Sequence, residues 1–164
     1  MNCYEVLQDM AHNDGLIVKE KPLQANDGLI KGDRIAIRTG LETSTQKRCV
    51  LAEELGHHYT SIGNIINQSD PENRKQEHRA RVWAYDNTIG LQGIIKAYES
   101  GCRNQTEVAE YLEVTEEFLQ DAIDCYQGKY GIATRIGQYV VSFIPILGVK
   151  RIEVDTYDDN FKHI

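Results

Sequence analysis

Two stretches constrain the fold of this chain most: "CVLAEELGHHYTS" at 49–61 and "QEHRARVWAYDNTI" at 76–89. Both read as helices that carry small residues where a neighbour must approach. In the first, Val50, Leu51, Glu54, Leu55 and His58 fall at helical spacings. Ser44 or Thr45 can cap its start, and Gly63 is a plausible stop. In the second, Pro71 is placed to open the helix. Ala80, Val82, Trp83 and Ala84 then turn toward the core, with Arg and Lys outside. Gly56 leaves room for close packing of another element, and Ala80 and Ala84 let the second helix lie close against the first.

The first helix also carries candidate chemistry. Glu53 and His57 are four residues apart, so they share one helical face and can reach one metal ion. The run Glu53-Glu54-x-x-His57 is one residue away from the His-Glu-x-x-His motif of zinc peptidases, whose glutamate polarises the bound water. A catalytic zinc needs a third protein ligand and an open position. Glu77 and His78 on the next helix are the candidates, pointing about 100° apart. Zinc accepts carboxylate oxygen as well as imidazole nitrogen. A carboxylate at position 53 makes the ion a weaker Lewis acid and lets Mn²⁺ compete. The pentapeptide alone reads more readily as a solvated acidic helix than as a metal site. His58 and His78 read as surface or packing residues.

The flanking segments supply the rest of the framework. "GLIVKEKPL" and "NDGLIKGDRIAIRTG" have strand character, and Gly32-Asp33 marks a hairpin turn before an alternating Arg34–Arg38. After the second helix come three short helices at about 91–99, 105–112 and 115–127, with Asn104 or Gln105 starting one and Thr115 capping another. "TEVAEYLEVTEEFLQDAI" (106–123) has the rhythm of a DNA-binding helix-turn-helix, with Val108, Ala109, Leu112, Val114, Leu119 and Ile123 as its core. Its would-be recognition helix starts Thr115-Glu116-Glu117 and reaches Asp121 without an Arg or Lys, which repels phosphate. Its acidity suits a basic protein partner instead. "QYVVSFIPILGVKRIEV" holds two β-rich runs around Pro145 and Gly148, and "DTYDDNFKHI" is an acidic tail expected to be loose.

Composition narrows the class. The 164 residues are 41% hydrophobic, enough for a real core, and the net charge of −7 argues against a large phosphate-binding surface. The longest apolar run, 139–149, is interrupted by Pro145 and Gly148 and too short to span a bilayer. The first ten residues lack an apolar signal-peptide segment. A cytoplasmic protein is expected, with Cys3, Cys49, Cys102 and Cys125 reduced and serving as small packing residues.

Taken together, these residues resemble the ImmA/IrrE family of metallopeptidases, in its short phage-borne form. The 49–61 stretch resembles the family's active-site helix. Glu77, Ala80 and Ala84 match the Glu-x-x-Ala-x-x-x-Ala of the helix that follows it. The resemblance covers most of residues 14 to 150. It implies an α+β fold: a small antiparallel sheet beside the metallopeptidase helices, then a helix-turn-helix-like lobe and a C-terminal β hairpin. The expected divisions are a zincin-like core at 1–90, the helical lobe at 91–130, the β segment at 131–155 and the tail at 156–164, in one compact domain. The resemblance further implies Glu53, His57 and Glu77 as ligands of Zn²⁺ (or Mn²⁺) and Glu54 as the catalytic general base. Position 53 departs from the family's usual histidine. The implied function is metal-dependent cleavage of a phage or mobile-element helix-turn-helix repressor, with the repressor as partner and no direct DNA or membrane binding. The alternatives are a catalytically silent protein that binds such a repressor and an acidic DNA-associated adaptor.

Overall fold

The computed structural model describes residues 1–61 and 70–153. The chain opens with α1 (Cys3–Asn13), followed by β1 (Ile17–Lys21), β2 (Gly28–Lys31) and β3 (Arg34–Arg38). Asn2 caps α1 by accepting the Glu5 N–H, and the Glu5 carboxylate answers at the Asn2 N–H. β2 and β3 form the expected hairpin, antiparallel from Gly28↔Ile37 to Lys31↔Arg34, around Gly32 at φ 62°. β1 lies on the other side of β3 and runs parallel to it, so the sheet is mixed, in the order β1-β3-β2.

The sheet has two unlike faces. Ile35 and Ile37 point inward and are buried; Glu20, on the same side of β1 as Val18, reaches Lys47 at 2.9 Å. Lys47 belongs to α2 (Ser44–Thr60), which lies against this inner face together with α1. Thr43 caps α2, with Gln46 completing the reciprocal pair. Ser44 and Thr45, the expected caps, are thus already inside the helix. Gly63, the expected stop, lies outside the described residues.

The helix α3 (Asp70–Thr88) crosses α2 at very short range. Ala80 and Ala84 are fully buried, and a Cβ placed on Gly56 would run into the Ala80 carbonyl. Tyr59 stacks on Trp83 at 4.9 Å beside this crossing. Leu51, Ala52 and Leu55 form the core side of α2, while His58 is exposed and Glu54 half-buried.

α4 (Gly90–Glu99), α5 (Gln105–Tyr111) and α6 (Glu116–Tyr130) follow, with Asn104 and Thr115 capping the last two as expected. Val108, Ala109, Val114, Leu119 and Ile123 are buried, as the helix-turn-helix rhythm requires. Arg48 of α2 pins this lobe. Its guanidinium donates to the carbonyls of Leu112 and Glu113 in the α5–α6 turn and to Thr88 at the end of α3. The chain then forms β4 (Ala133–Ile136), β5 (Tyr139–Ser142) and β6 (Gly148–Arg151), an antiparallel sheet in that order. The two runs around Pro145 are therefore the second and third strands of a sheet rather than a lone hairpin. One connected cluster of buried residues extends from Tyr4 and Ile35 through Leu55 and Ala84 to Leu119 and Leu147. All four cysteines are free thiols. Among the described residues no helix is long and apolar enough to cross a membrane, and the acidic tail lies beyond them.

Candidate metal centre

The α2–α3 crossing decides what the site can be. Because Gly56 meets Ala80 at backbone contact, the turn of α3 just before Ala80 hangs over His57. His57 Nε2 stands 3.4 Å from Glu77 Oε2. Arg81, one turn further along α3, holds the other Glu77 oxygen with its Nε at 3.4 Å. β2 closes the opposite side. An open cleft results, walled by Asp27 to Ile30 on one side and by Glu53, Glu54, His57 and Glu77 on the other.

Glu54 sits directly behind Gly28: a Cβ there would stand 2.6 Å from Glu54 Oε1 and 2.7 Å from the Val50 methyl. Burial raises the Glu54 carboxyl to about 7, the charges of Glu53 and Glu77 add to the rise, and the Ile30 backbone N–H opposes it. Glu53 is raised too, first by burial; Arg81 works against the rise, while Glu77, Asp121 and Asp27 reinforce it. Glu53 borders a second, acidic cleft, shared with Asp27, Glu117 and Asp121.

The four expected site residues thus line one cleft. His57 and Glu77 are brought together; Glu53 shares their cleft without joining them in a tight cluster. Among the described residues no three His, Cys, Asp or Glu side chains form a group placed to hold a metal ion. The chemistry of the donor set nonetheless fits a divalent ion, with one imidazole, two carboxylates and a crowding of acids around Glu54 that Arg81 offsets only in part and a cation would lower further. His78 is exposed and faces a separate groove with Trp83 and Cys125, so of the two α3 candidates only Glu77 lines this cleft.

Three contributors were not anticipated from the sequence. Gly28 and Ile30 sit in a run legible only as a strand. Arg81 is four residues after Glu77, a spacing that does reveal an ion pair once Glu77 is singled out.

A helix bearing Glu54 and His57, crossed by a helix bearing Glu77 and flanked by a strand, thus frames the candidate site. The family model described as the IrrE N-terminal-like domain, Peptidase_M78, matches residues 12–124, and the chain belongs to that family of metallopeptidases. No curated protein and no solved structure matches the chain.

Proposed function

We propose that this protein is a metal-dependent peptidase that cleaves a helix-turn-helix repressor of a phage or mobile element. The observation that carries this reading is the placement of Glu54 in the cleft where α3 sets Glu77 against His57. Glu53, His57 and Glu77 would hold the ion, Zn²⁺ or Mn²⁺. Such an ion, when bound, supplies Lewis acidity to the scissile carbonyl and acidifies water. Glu54 takes the proton of the attacking water and returns a proton to the leaving amine, and a carboxyl raised to about 7 is well matched to both tasks. The acidic cleft of Asp27, Glu117 and Asp121 beside Glu53 supports a basic substrate segment, of the kind a DNA-binding domain presents.

The second reading is a protein that binds the repressor without cutting it. It is favoured by Glu53, which borders the acidic cleft as well as the His57–Glu77 cleft. The two separate in one assay. The purified protein is incubated with a helix-turn-helix repressor from the same mobile element, with Zn²⁺ or Mn²⁺, and the products are read by mass. Glu54→Gln keeps the shape of the side chain but takes no proton, so cleavage falls by roughly 10²–10⁴-fold while repressor binding persists. Glu53→His restores the commoner ligand and leaves zinc-dependent cleavage equal or higher. A wild type that cuts nothing with either metal, yet binds the repressor, establishes the second reading.

A further inference from the structure

The outer face of the first sheet is chemically unlike the rest of the molecule. Strand alternation puts Ile17, Lys19 and Lys21 of β1, Arg34, Ala36 and Arg38 of β3, and Leu29 and Lys31 of β2 on the side away from α2. In a chain of net charge −7, every charged side chain on this face is a cation. Among the described residues Arg38 pairs with Asp27, whereas Lys19, Lys21, Lys31 and Arg34 make no ion pair.

The register orders these side chains. Lys19, Ala36 and Leu29 lie opposite one another in one row, and Ile17, Arg34 and Lys31 in the next. The apolar residues therefore run diagonally, from Ile17 through Ala36 to Leu29. Lys31 and Arg34 stand on one side of that line, and Lys19 and Lys21 on the other. Ile17 is 42% and Leu29 49% exposed, large values for strand residues of this size. Ala36, short and central, makes the floor of a shallow trough bounded by the longer side chains. Two strand spacings make the apolar line about 10 Å long, the rise of about two turns of a helix laid along it.

We propose that this face docks an acidic amphipathic helix of a partner protein, with the helix's apolar stripe on Ile17, Ala36 and Leu29 and its flanking Asp and Glu on the four cations. The match is one of charge and pattern: an apolar line with cations on both sides is complementary to an apolar stripe with acids on both sides. A phosphate backbone uses the cations but leaves Ile17 and Leu29 without a partner. Leu29 also lines the candidate metal centre on the far side of β2, so the docked helix lies beside that cleft. The proposal concerns binding and stands independently of cleavage.

The test titrates the ¹⁵N-labelled full-length protein with a synthetic helical peptide that has leucines at i, i+3, i+4 and i+7 and glutamates on both flanks. Amide shifts are expected to cluster at Ile17, Lys19, Leu29, Lys31 and Ala36, and to weaken with added salt. The double variant Lys19→Glu/Lys31→Glu should weaken the peptide by roughly tenfold or more. Ile17→Ser should weaken it independently of salt, and a peptide with lysines for glutamates should not bind. All substituted side chains are exposed on the sheet surface, and an unchanged far-ultraviolet circular dichroism spectrum verifies each fold. Absence of shifts on this face, shifts that survive both variants, or shifts produced instead by duplex DNA or by phosphatidylserine vesicles overturns the proposal.

Discussion

His57 Nε2 and Glu77 Oε2 face each other at 3.4 Å across the α2–α3 crossing, although twenty residues of sequence separate them. Neither helix alone positions a pair of donors this way. The contact is half exposed, with side-chain accessibilities of 28% and 47%, so as an ion pair it contributes little stability. Its value lies in what it offers to an incoming cation.

The first prediction follows from that contact. Glu77→Gln keeps the volume of the side chain and removes its charge. Zn²⁺ affinity, measured by competition with a chromogenic chelator, should fall at least by the 10–100-fold that even an outer-sphere partner contributes. The melting temperature of the metal-free protein should stay nearly unchanged, because the pair is exposed. Undiminished zinc affinity in this variant would remove Glu77 from the ligand set.

The second prediction concerns the crossing itself. Gly56→Ala improves helix propensity by about 1 kcal/mol, yet its methyl group would occupy the position of the Ala80 carbonyl. Backbone cannot move aside as a flexible side chain does, so α3 must shift. The net effect should be a destabilisation of about 1–3 kcal/mol or more, read by urea unfolding. Zinc affinity should drop with it, because the shift carries Glu77 away from His57. A variant as stable as wild type would show that the helices do not touch at this point.

Much of this arrangement is legible in the sequence, for reasons that can be named. Gly56, Ala80 and Ala84 announce a close crossing, because only small residues allow backbones to meet. Asn104 and Thr115 announce helix starts through their capping oxygens, and both act as such. The start of α2 lies one or two residues before the expected caps, Ser44 or Thr45, because the deciding feature is Gln46: it sits at the third helical position counted from Thr43, and it bonds the Thr43 N–H. The parallel pairing of β1 with β3 has no local signature, since it depends on where α1 and the loop after β1 send the chain. β4, "ATRI", is too short and mixed to show a clear period. Nothing in the sequence around Arg48 marks it as a buried cation. Its burial becomes intelligible only when the carbonyls of Thr88, Leu112 and Glu113, at least forty residues away, are brought around it. In the site, the residue types on α2 and α3 are readable, and β2 is readable as a strand but not as the wall of the cleft.

That strand gives the third prediction. Gly28→Ala places a methyl group 2.6 Å from Glu54 Oε1 and 2.7 Å from a Val50 methyl. Glu54 is the softer neighbour and should rotate away from Ile30. Cleavage should then fall through kcat by roughly 10²-fold, the loss expected when a general base is displaced by about 1 Å. KM and stability should change much less. A variant with full kcat would place Glu54 outside the proton-transfer step.

The last prediction uses pH and needs no substrate. In the metal-free protein the Glu54 carboxyl is raised from 4.5 to about 7, chiefly by burial and then by Glu53 and Glu77. The folded state therefore holds this proton more tightly than the unfolded chain does. Its stabilising contribution is complete below pH 4.5 and is lost progressively as the pH rises to about 7. Glu54→Gln has no proton to lose at that position. Relative to wild type, the variant should thus gain stability steadily between pH 4.5 and about 7 and hold a constant advantage above that range. The measurement is the difference in melting temperature between the two proteins across that window, in the presence of a chelator. A difference that stays flat from pH 4.5 to 7 would mean that Glu54 titrates as an ordinary exposed carboxylate, and the poised base at the centre of the proposed mechanism would be lost.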